Sequence, residues 1–377
     1  MKKIVVTGMG AVTPVGIGVE NYWNNITAGA SGIDTIKTFD PSELAVQIAG
    51  EVKDFNPSDY LPKDLIRKTD PFMQYAYIAA EEAMKQSGIK IEPERTGIVM
   101  GTAMAGIATI AYTQEALTGA SHKKVGPRFI PKILGNIAAA NIAIDYNIQG
   151  PSFTVSTACS SGGDAINTAC MCMQSGKADI MLAVGAESVL CPLVIYSLAN
   201  AKALSRRNDS PSTASRPFDV TRDGFVIGEG GGALVLETEE SANGRNARKY
   251  AEIKGYAQAH RPVSYDNSEV DSKAVVEVIE KACVNAGIEA DNIDFVCCDD
   301  RKIIKTLMPC YDISQEIGNA RAAAKKFIEE FKKNHKATCC RVLTAGLDMA
   351  SPERKAHCTN MVNDCSKILE EMIKVKV

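Results

Sequence analysis

The chain has 377 residues, of which 45% are hydrophobic, and a formal net charge of -3. This composition predicts a soluble globular protein with a large core, and the near-balanced charge argues against a nucleic-acid or anionic-membrane surface. The apolar run at residues 180–200 has the length of a membrane span, but Gly185, Glu187 and Pro192 interrupt it. We expect a buried strand, a loop and a core helix there, and no membrane partner.

The N-terminal stretch MKKIVV begins like a signal peptide, but Gly8, Gly10 and Pro14 follow early and no small-residue cleavage site is present. We therefore expect a buried first strand and a cytoplasmic protein. Seven of the twelve cysteines follow residue 296. In a reducing cytoplasm a disulfide framework is not expected, and the absence of any C-x-x-C pair weakens a zinc-finger interpretation. No metal or cofactor is expected.

Strand-like and helix-like runs alternate over the first 300 residues. In chain order the predicted strands are KKIVVTGMG, which ends in a glycine turn, then TGIVMGT, PSFTVST, ADIMLAVGAES, GGGALVLET, KYAEIKGYAQA and IDFVCC. The predicted helices are DPFMQYAYIAAEEAMKQSG, which ends at Gly88, then PKILGNIAAANIAIDY, CSSGGDAINTACMCMQSG and SKAVVEVIEKACVNAG. This alternation indicates an α/β fold with helix-covered sheets.

Two glycine-rich stretches resemble nucleotide-binding loops only in part. GMGAVTPVG lacks the third glycine and the acidic partner of a dinucleotide site, and GEGGG has no lysine after it. Both favour tight turns in which one backbone passes close to another.

The composition changes after Cys298, where charged amphipathic helices are predicted without a convincing strand between them. We place a boundary within residues 297–315. The expected organisation is an N-terminal half at 1–250, the start of a second half at 251–298, and a Cys-rich helical tail at 299–377.

Cys159 lies at the sharp turn between a strand and a helix in PSFTVSTACSSGGDAI. Backbone N–H groups of the first helical turn point towards such a residue, and the helix dipole favours its thiolate. The small residues that follow allow a substrate to approach closely, as in the nucleophile elbow of hydrolases. A small buried cysteine without a catalytic role is the alternative.

Several segments resemble the β-ketoacyl-acyl-carrier-protein synthases, and synthase II of bacterial fatty acid synthesis most of all. The resemblance covers residues 1–296, and it is carried by VVTGMGAVTPVG, FMQYAYIAAEEAM, GPSFTVSTACSSGGDAIN, VGAES and SRPFDVTRDGFVIGEGGGALVLE. It implies a thiolase-like layered α/β/α fold built from two similar halves, and a homodimer. It also implies that Cys159 accepts an acyl group from acyl carrier protein and that a malonyl thioester is decarboxylated and condensed with it.

The resemblance assigns further residues by position. Met104 and Leu198 match positions that line the family's acyl pocket, with ordinary core packing as the alternative. Arg67, Lys68 and Arg206 are candidates for docking the acidic carrier protein, with solvated surface charge as the alternative.

The family's second half supplies two histidines, in an HGT-type motif after the strand written here IDFV and in a later GH-type motif. Here IDFV is followed by CCDDRK, and neither motif nor the glycine-rich FGFGG segment occurs. The missing segments predict a truncated second half. Because losing one such hydrogen-bond donor costs roughly two to three orders of magnitude in rate, we also expect impaired condensation. His122, His335 and His357 are expected on the surface, and a position away from the site is also favoured for His260.

The tail has a resemblance of its own, to the C-terminal part of the C-GCAxxG-C-C redox family. Cys340 and Cys358 match two of that family's cysteines, although Thr359 replaces the expected proline. A metal site or a labile disulfide is one interpretation and plain helix packing is the other.

The chain then resembles most of one protein joined to the end of another, by natural fusion, gene decay or an assembly artefact. A non-condensing partner akin to a chain-length factor is a further alternative, although such partners usually lack the nucleophile that Cys159 supplies.

Overall fold

The predicted alternation of strands and helices is present in the computed structural model, which describes residues 2–119, 125–216, 219, 221–259 and 272–293. The strands are β1 (Ile4–Thr13), β2 (Gly16–Ile17), β3 (Asp34–Thr35), β4 (Ile48–Ala49), β5 (Thr96–Gly101), β6 (Ser152–Val155), β7 (Ile180–Glu187), β8 (Gly230–Thr238) and β9 (Ala251–Ile253). The helices are α1 (Val19–Thr27), α2 (Lys63–Lys68), α3 (Pro71–Ser87), α4 (Ile107–Gly119), α5 (Phe129–Ile133), α6 (Asn136–Asp145), α7 (Ser161–Gln174), α8 (Pro192–Asn200), α9 (Glu239–Gly244) and α10 (Ser272–Ala286).

One mixed sheet organises the unit formed by Met1–Ala259 and Lys281–Gly287. Its strand order is β2-β1-β8-β7-β5-β6, and β9 also pairs with β1. Strand β5 runs parallel to both β6 and β7, whereas β8 is antiparallel to β1 and β7. The carboxyl ends of β5, β6 and β7 therefore lie at the same edge of the sheet.

Helices cover both faces of this sheet. Side chains alternate along β5 and β7, so that Ile98 and Leu182 join the core cluster that contains α3, while Val99 and Met181 join the cluster that contains α7. Alternate residues of a strand point to opposite faces, which places α3 and α7 on opposite sides of the sheet. The predicted layered α/β/α arrangement is thus confirmed for this unit.

The prediction that the first strand ends at a glycine turn is wrong, because β1 continues through Gly8 and Gly10 to Thr13. Both glycines lie directly under α3. A Cβ atom at Gly10 would stand 1.9 Å from the carbonyl oxygen of Ala79, and one at Gly8 would stand 2.1 Å from that of Ala83. The glycines allow a helix to pack closely on the strand. In the second stretch Gly230, Gly231 and Gly232 begin β8, which agrees with the strand predicted at GGGALVLET, and Gly228 precedes it.

Two further boundaries differ from the sequence analysis. The segment predicted as one helix at PKILGNIAAANIAIDY is divided into α5 and α6, which are separated by Leu134 and Gly135. The strand predicted at KYAEIKGYAQA extends only over β9. The predicted end of α3 is confirmed, since Gly88 caps it at a left-handed φ of 62°.

Several predictions lie outside the described residues. These are the strand at IDFVCC, the helices of the tail, and all four histidines, His122, His260, His335 and His357. Within the described residues, no helix combines the length and the apolar character that a membrane crossing requires.

Candidate active site

Three loops leave the sheet side by side at the carboxyl ends of its parallel strands. Gly101 at the end of β5 is in register with Val155 of β6 on one side and with Gly185 of β7 on the other. The loop after β6 carries Cys159, the loop after β5 carries Met104, and β7 ends at Glu187. Loops at the carboxyl ends of parallel strands are the usual place for a binding site in an α/β fold.

Cys159 is exposed and immediately precedes Ser160, the N-cap residue of α7. Ala158 before it has a left-handed φ of 53°, which turns the chain sharply from β6 into the helix. The N–H of Ser161 donates to the carbonyl oxygen of Ala158 at 3.1 Å and so closes the turn. The thiol is therefore presented to solvent at the N-terminus of α7, where a substrate can reach it.

Small residues let α7 approach the strand ends. A Cβ atom at Gly101 would stand 2.3 Å from the carbonyl oxygen of Ser161, and one at Gly185 would stand 3.3 Å from the Cα atom of Gly162. Larger residues at the end of β5 would push the first turn of α7 away from the sheet and displace the neighbouring Cys159.

Asp164 supports this turn from within the helix, and the sequence analysis did not single it out. Its buried carboxylate accepts hydrogen bonds from the hydroxyls of Thr157 and Ser160, the latter at 3.1 Å. A further hydrogen bond stabilises the turn, because Ser161 Oγ accepts from the N–H of Thr157 at 2.9 Å. These hydrogen bonds hold the residues on both sides of Cys159 in place. The sequence signal for this stabilisation is an acidic residue in the first helical turn after the cysteine.

Glu187 is a second residue that the sequence analysis did not single out as functional. Its carboxylate accepts hydrogen bonds from the backbone N–H groups of Ala103 and Met104 and from Thr102 Oγ1. We call residues 102–106 the Met104 turn. On the side of β6, Ser156 Oγ donates to the carbonyl oxygen of Ala103 at 3.4 Å, so that the Cys159 loop and the Met104 turn are in direct contact.

Of the two residues expected to line an acyl pocket, Leu198 borders a hydrophobic cluster, and Met104 lies three residues before another residue that borders it. Leu198 on α8 packs against the cluster formed by Val194, Ile195 and their neighbours, and Ile107 at the start of α4 packs against the same cluster. Met104 precedes Ile107 by three residues, and 46% of it is exposed. The side chain of Met104 is therefore accessible from solvent.

The three residues expected to dock a carrier protein are placed differently. Arg67 is exposed at the end of α2 and lines a cavity of about 520 Å³ together with Arg128 and Lys132. Lys68 forms an ion pair with Asp64 at 3.6 Å. Arg206 is exposed on the loop after α8 and is not part of the cavity wall. No carboxylate is found among the described residues that line this cavity, so its wall is positively charged.

Asp70 is a buried carboxyl group behind this cavity. It caps the N-terminus of α3 by accepting from the N–H of Phe72, and it also accepts a hydrogen bond from Thr109 Oγ1, which lines the cavity. Burial raises the pKa of Asp70 to about 6, against the opposing effects of these hydrogen bonds and of Lys132.

The remaining described cysteines differ from Cys159 in their burial. Cys170, Cys172, Cys191 and Cys283 are all buried, and burial raises the pKa of the Cys170 thiol to about 11. Buried thiols of this kind are unreactive. No cluster of metal-binding side chains is found within the described ranges, and Cys340 and Cys358 lie outside them.

Comparisons with known proteins agree with this geometry. Residues 1–242 match the family described as Beta-ketoacyl synthase, N-terminal domain. The 3-oxoacyl-[acyl-carrier-protein] synthase 2 of Vibrio cholerae serotype O1 is 37% identical over 324 residues, which are 85% of this chain and 77% of that protein. The chain belongs to the β-ketoacyl synthase family.

Solved structures of ketosynthases share the fold. A β-ketoacyl synthase from Burkholderia phymatum STM815 superposes with a TM-score of 0.71 at 28% identity, over 78% of this chain and 73% of that one. The complex AntDE:AntF, a type II PKS acyl-carrier protein with its ketosynthase bound to the hexaketide, gives 0.67 at 31% identity over 78% and 72%. The layered sheet of this chain is therefore the thiolase-like fold expected from the sequence, and by lineage the chain is a β-ketoacyl-acyl-carrier-protein synthase.

The tail matches a different family. Residues 306–372 match the family described as Putative redox-active protein (C_GCAxxG_C_C), which confirms the resemblance noted in the sequence. Two family matches thus follow each other along one chain.

Proposed function

We propose that this β-ketoacyl synthase homologue accepts an acyl group on Cys159 from the thioester of an acyl carrier protein. The exposure of Cys159 at the N-terminus of α7 is the observation that carries the proposal. The thiolate sulfur attacks the carbonyl carbon of the thioester, the bond to the carrier's sulfur breaks, and the carrier leaves as a thiol with the proton that Cys159 has lost. Covalent transfer of this kind divides a difficult condensation into two easier steps.

The second step, condensation with a malonyl thioester, is proposed to be impaired in this chain. The family's HGT and GH motifs do not occur in the sequence, and their histidines stabilise the charge that develops during decarboxylation. Without them we expect a condensation rate lower than that of a complete synthase by roughly two orders of magnitude or more. Acyl transfer relies on the Cys159 turn and is expected to persist.

The test separates the two steps. The full chain is incubated with octanoyl-acyl carrier protein, and the mass of the tryptic peptide that contains Cys159 is measured; the Cys159→Ala variant is the control. Malonyl-acyl carrier protein is then added and the β-ketoacyl product is quantified. Absence of an octanoyl adduct would refute the acyl-transfer proposal, and turnover comparable with a complete synthase would refute the impairment.

The cavity beside α2 is our proposed docking surface for the acidic carrier protein, with Arg67 and its neighbours Arg128 and Lys132 as the main cations. Lys68 and Arg206, expected from the resemblance, remain secondary candidates, because Lys68 is already paired with Asp64 and Arg206 lies on another loop. Electrostatic contacts of this kind steer association and are sensitive to salt.

Charge reversal tests this surface. We expect Arg67→Glu to raise the KM for octanoyl-acyl carrier protein several-fold and to weaken its salt dependence, while loading from octanoyl-coenzyme A stays unchanged. Lys63→Glu is the matched control, since Lys63 is an exposed lysine of the same helix outside the cavity wall. Equal effects of the two substitutions would contradict docking at this cavity.

The homodimer is part of the proposal and is assigned to the edge strand β6. This strand pairs with β5 on one side and ends the strand order of the sheet. The carbonyl groups of Pro151 and Val155 accept from Ile98 of β5 and from Thr102, which follows β5, so the alternation of the strand directs the N–H of Ser152 away from β5. In solution, sedimentation should give a dimer that Ser152→Pro weakens and Ser152→Ala retains; a monomeric parent protein would refute the assignment.

The family match of residues 306–372 favours a second candidate function, a redox or metal site that involves Cys340 and Cys358. Thiol counting under reducing and oxidising conditions, together with metal analysis of the purified full chain, tests it. A chain without bound metal and without a redox-dependent loss of these two thiols would exclude it. The chain-length-factor alternative is disfavoured by the retained Cys159, and co-purification with a second synthase would be needed to support it. A cytoplasmic location remains part of the proposal.

A further inference from the structure

The Met104 turn is held between two elements at the edge of the sheet. Its residues follow β5 directly, and the N–H of Thr102 donates to the carbonyl oxygen of Val155 on β6 at 3.3 Å. Ser156, three residues before Cys159, donates to the carbonyl oxygen of Ala103. A shift of this turn therefore changes the surroundings of the Cys159 loop.

The backbone of this turn is strained. Ala105 adopts a left-handed φ of 48°, which is uncommon for a residue other than glycine, and it persists only where surrounding contacts determine it. The N–H of Ala105 donates to Thr102 Oγ1 at 3.3 Å, and that hydroxyl in turn donates to Glu187. Gly106 packs closely against α5, since a Cβ atom at Gly106 would stand 2.7 Å from the Cα atom of Ile133.

Glu187 supplies the contacts that maintain this conformation. One carboxylate oxygen accepts from two successive backbone N–H groups, at Ala103 and Met104, and the other accepts from Thr102. The side chain of Met104 makes no hydrogen bond and is nearly half exposed, so its position depends on the backbone that Glu187 holds.

We propose that Glu187 is a positioning residue that fixes the Met104 turn beside Cys159 and thereby sets which acyl chain lengths react with the thiol. The inference rests on the proposed acyl transfer for its biological meaning. Each partner is a neutral donor, so the geometry requires acceptor oxygens at this position and does not require an ion pair.

This requirement separates two substitutions. In Glu187→Gln the amide oxygen still accepts from the two backbone N–H groups, and the amide nitrogen donates to Thr102 Oγ1, which is also an acceptor. In Glu187→Ala all three bonds are lost, and a loss of this size changes an equilibrium by about tenfold or more. A residue that acted through its charge would be equally impaired in both variants.

The experiment measures chain-length selectivity at Cys159 in the full chain with two kinds of probe. Acetyl- and decanoyl-acyl carrier protein report acyl transfer, and N-ethylmaleimide and N-octylmaleimide report access to the thiol without any enzymatic step. Adducts are quantified on the tryptic peptide that contains Cys159. We expect the long-to-short rate ratio to change by about tenfold in Glu187→Ala and by less than about twofold in Glu187→Gln.

A double-mutant cycle with Met104→Ala identifies the route of the effect. Because Glu187 is proposed to act through Met104, the selectivity changes of Glu187→Ala and Met104→Ala should not add in the double variant. Additive changes, or an unchanged ratio in Glu187→Ala with both probes, would overturn the inference. If the parent protein formed no acyl adduct, the proposed function would fail, while the maleimide ratios would still decide the role of Glu187. An N-ethylmaleimide rate near that of the parent protein shows that the variants retain the folded Cys159 turn.

Discussion

The buried carboxyl group of Asp70 makes a specific prediction for the pH dependence of stability. Burial raises its pKa from the ordinary value of 3.8 to about 6 in the folded protein. Between these two pH values the folded state holds a proton that the unfolded state has lost. The free energy of unfolding therefore falls as the pH rises through this window, and it is lower by about 3 kcal/mol at pH 7, at 1.36 kcal/mol for each pKa unit.

The Asp70→Asn variant removes this titration and retains much of the local structure. Asparagine is as good an N-cap residue as aspartate, so the cap of α3 is preserved. We expect the difference in unfolding free energy, Asp70→Asn minus parent, to increase by about 2.4 kcal/mol between pH 4 and pH 7, because the unfolded carboxyl group is already partly ionised at pH 4. Titratable groups shared by the two proteins cancel in this difference.

The assay is urea unfolding at four pH values from 4 to 7, followed by circular dichroism and evaluated by linear extrapolation. Asp64→Asn is the control, because Asp64 is exposed and makes only a surface ion pair with Lys68; its difference curve should stay within about 1 kcal/mol. A difference for Asp70→Asn that is flat or that decreases with pH would refute the reasoning.

Three more predictions concern other parts of the fold. Gly10→Ala places a Cβ atom 1.9 Å from the carbonyl oxygen of Ala79 and should lower the free energy of unfolding by about 3 kcal/mol or more. Gly244→Ala is the control, because no heavy atom lies within 4 Å of its Cβ position, and it should leave the free energy of unfolding unchanged. Arg245→Ala leaves the fully buried Glu237 without its charged partner and should cost about 3–5 kcal/mol in urea unfolding at pH 7, and Glu237→Gln in the same chain should restore part of it. Desolvation opposes ionisation of Glu237, but Arg245 and the hydroxyls of Thr7 and Ser241 hold the pKa of its carboxyl group below the usual range. The stabilisation by Arg245 should therefore be lost as the pH falls through that pKa. Equal costs of Arg245→Ala at pH 3 and pH 7 would contradict this reasoning. Among the cysteines before residue 290, brief treatment of the folded protein with N-ethylmaleimide should modify Cys159 alone, as measured by peptide mass spectrometry, and modification of Cys170 or Cys191 at a similar rate would contradict their burial.

The sequence predicted the strand-turn-helix around Cys159 because the signals are local. Alternating residues define β6, small residues follow the cysteine, and helical spacing defines α7. The course of β1 was mispredicted because the reason for Gly10 lies in contact with α3, about 70 residues later. Local rules assign a glycine to a turn, whereas here the absent side chain serves the packing of two elements that are distant in the sequence.

Glu187 shows the same limit within the site. In the sequence it is a polar residue at the end of an apolar run, and it served only as an argument against a membrane span. Its role becomes visible only when β5 and β7 are paired, because the pairing of Gly101 with Gly185 brings the end of β7 beside the Met104 turn. A nucleophile is recognised from its own neighbours in the chain, whereas a residue that positions another loop is recognised from strand register. Sequence motifs therefore predict the turn around Cys159 better than the contacts between the loops that surround it.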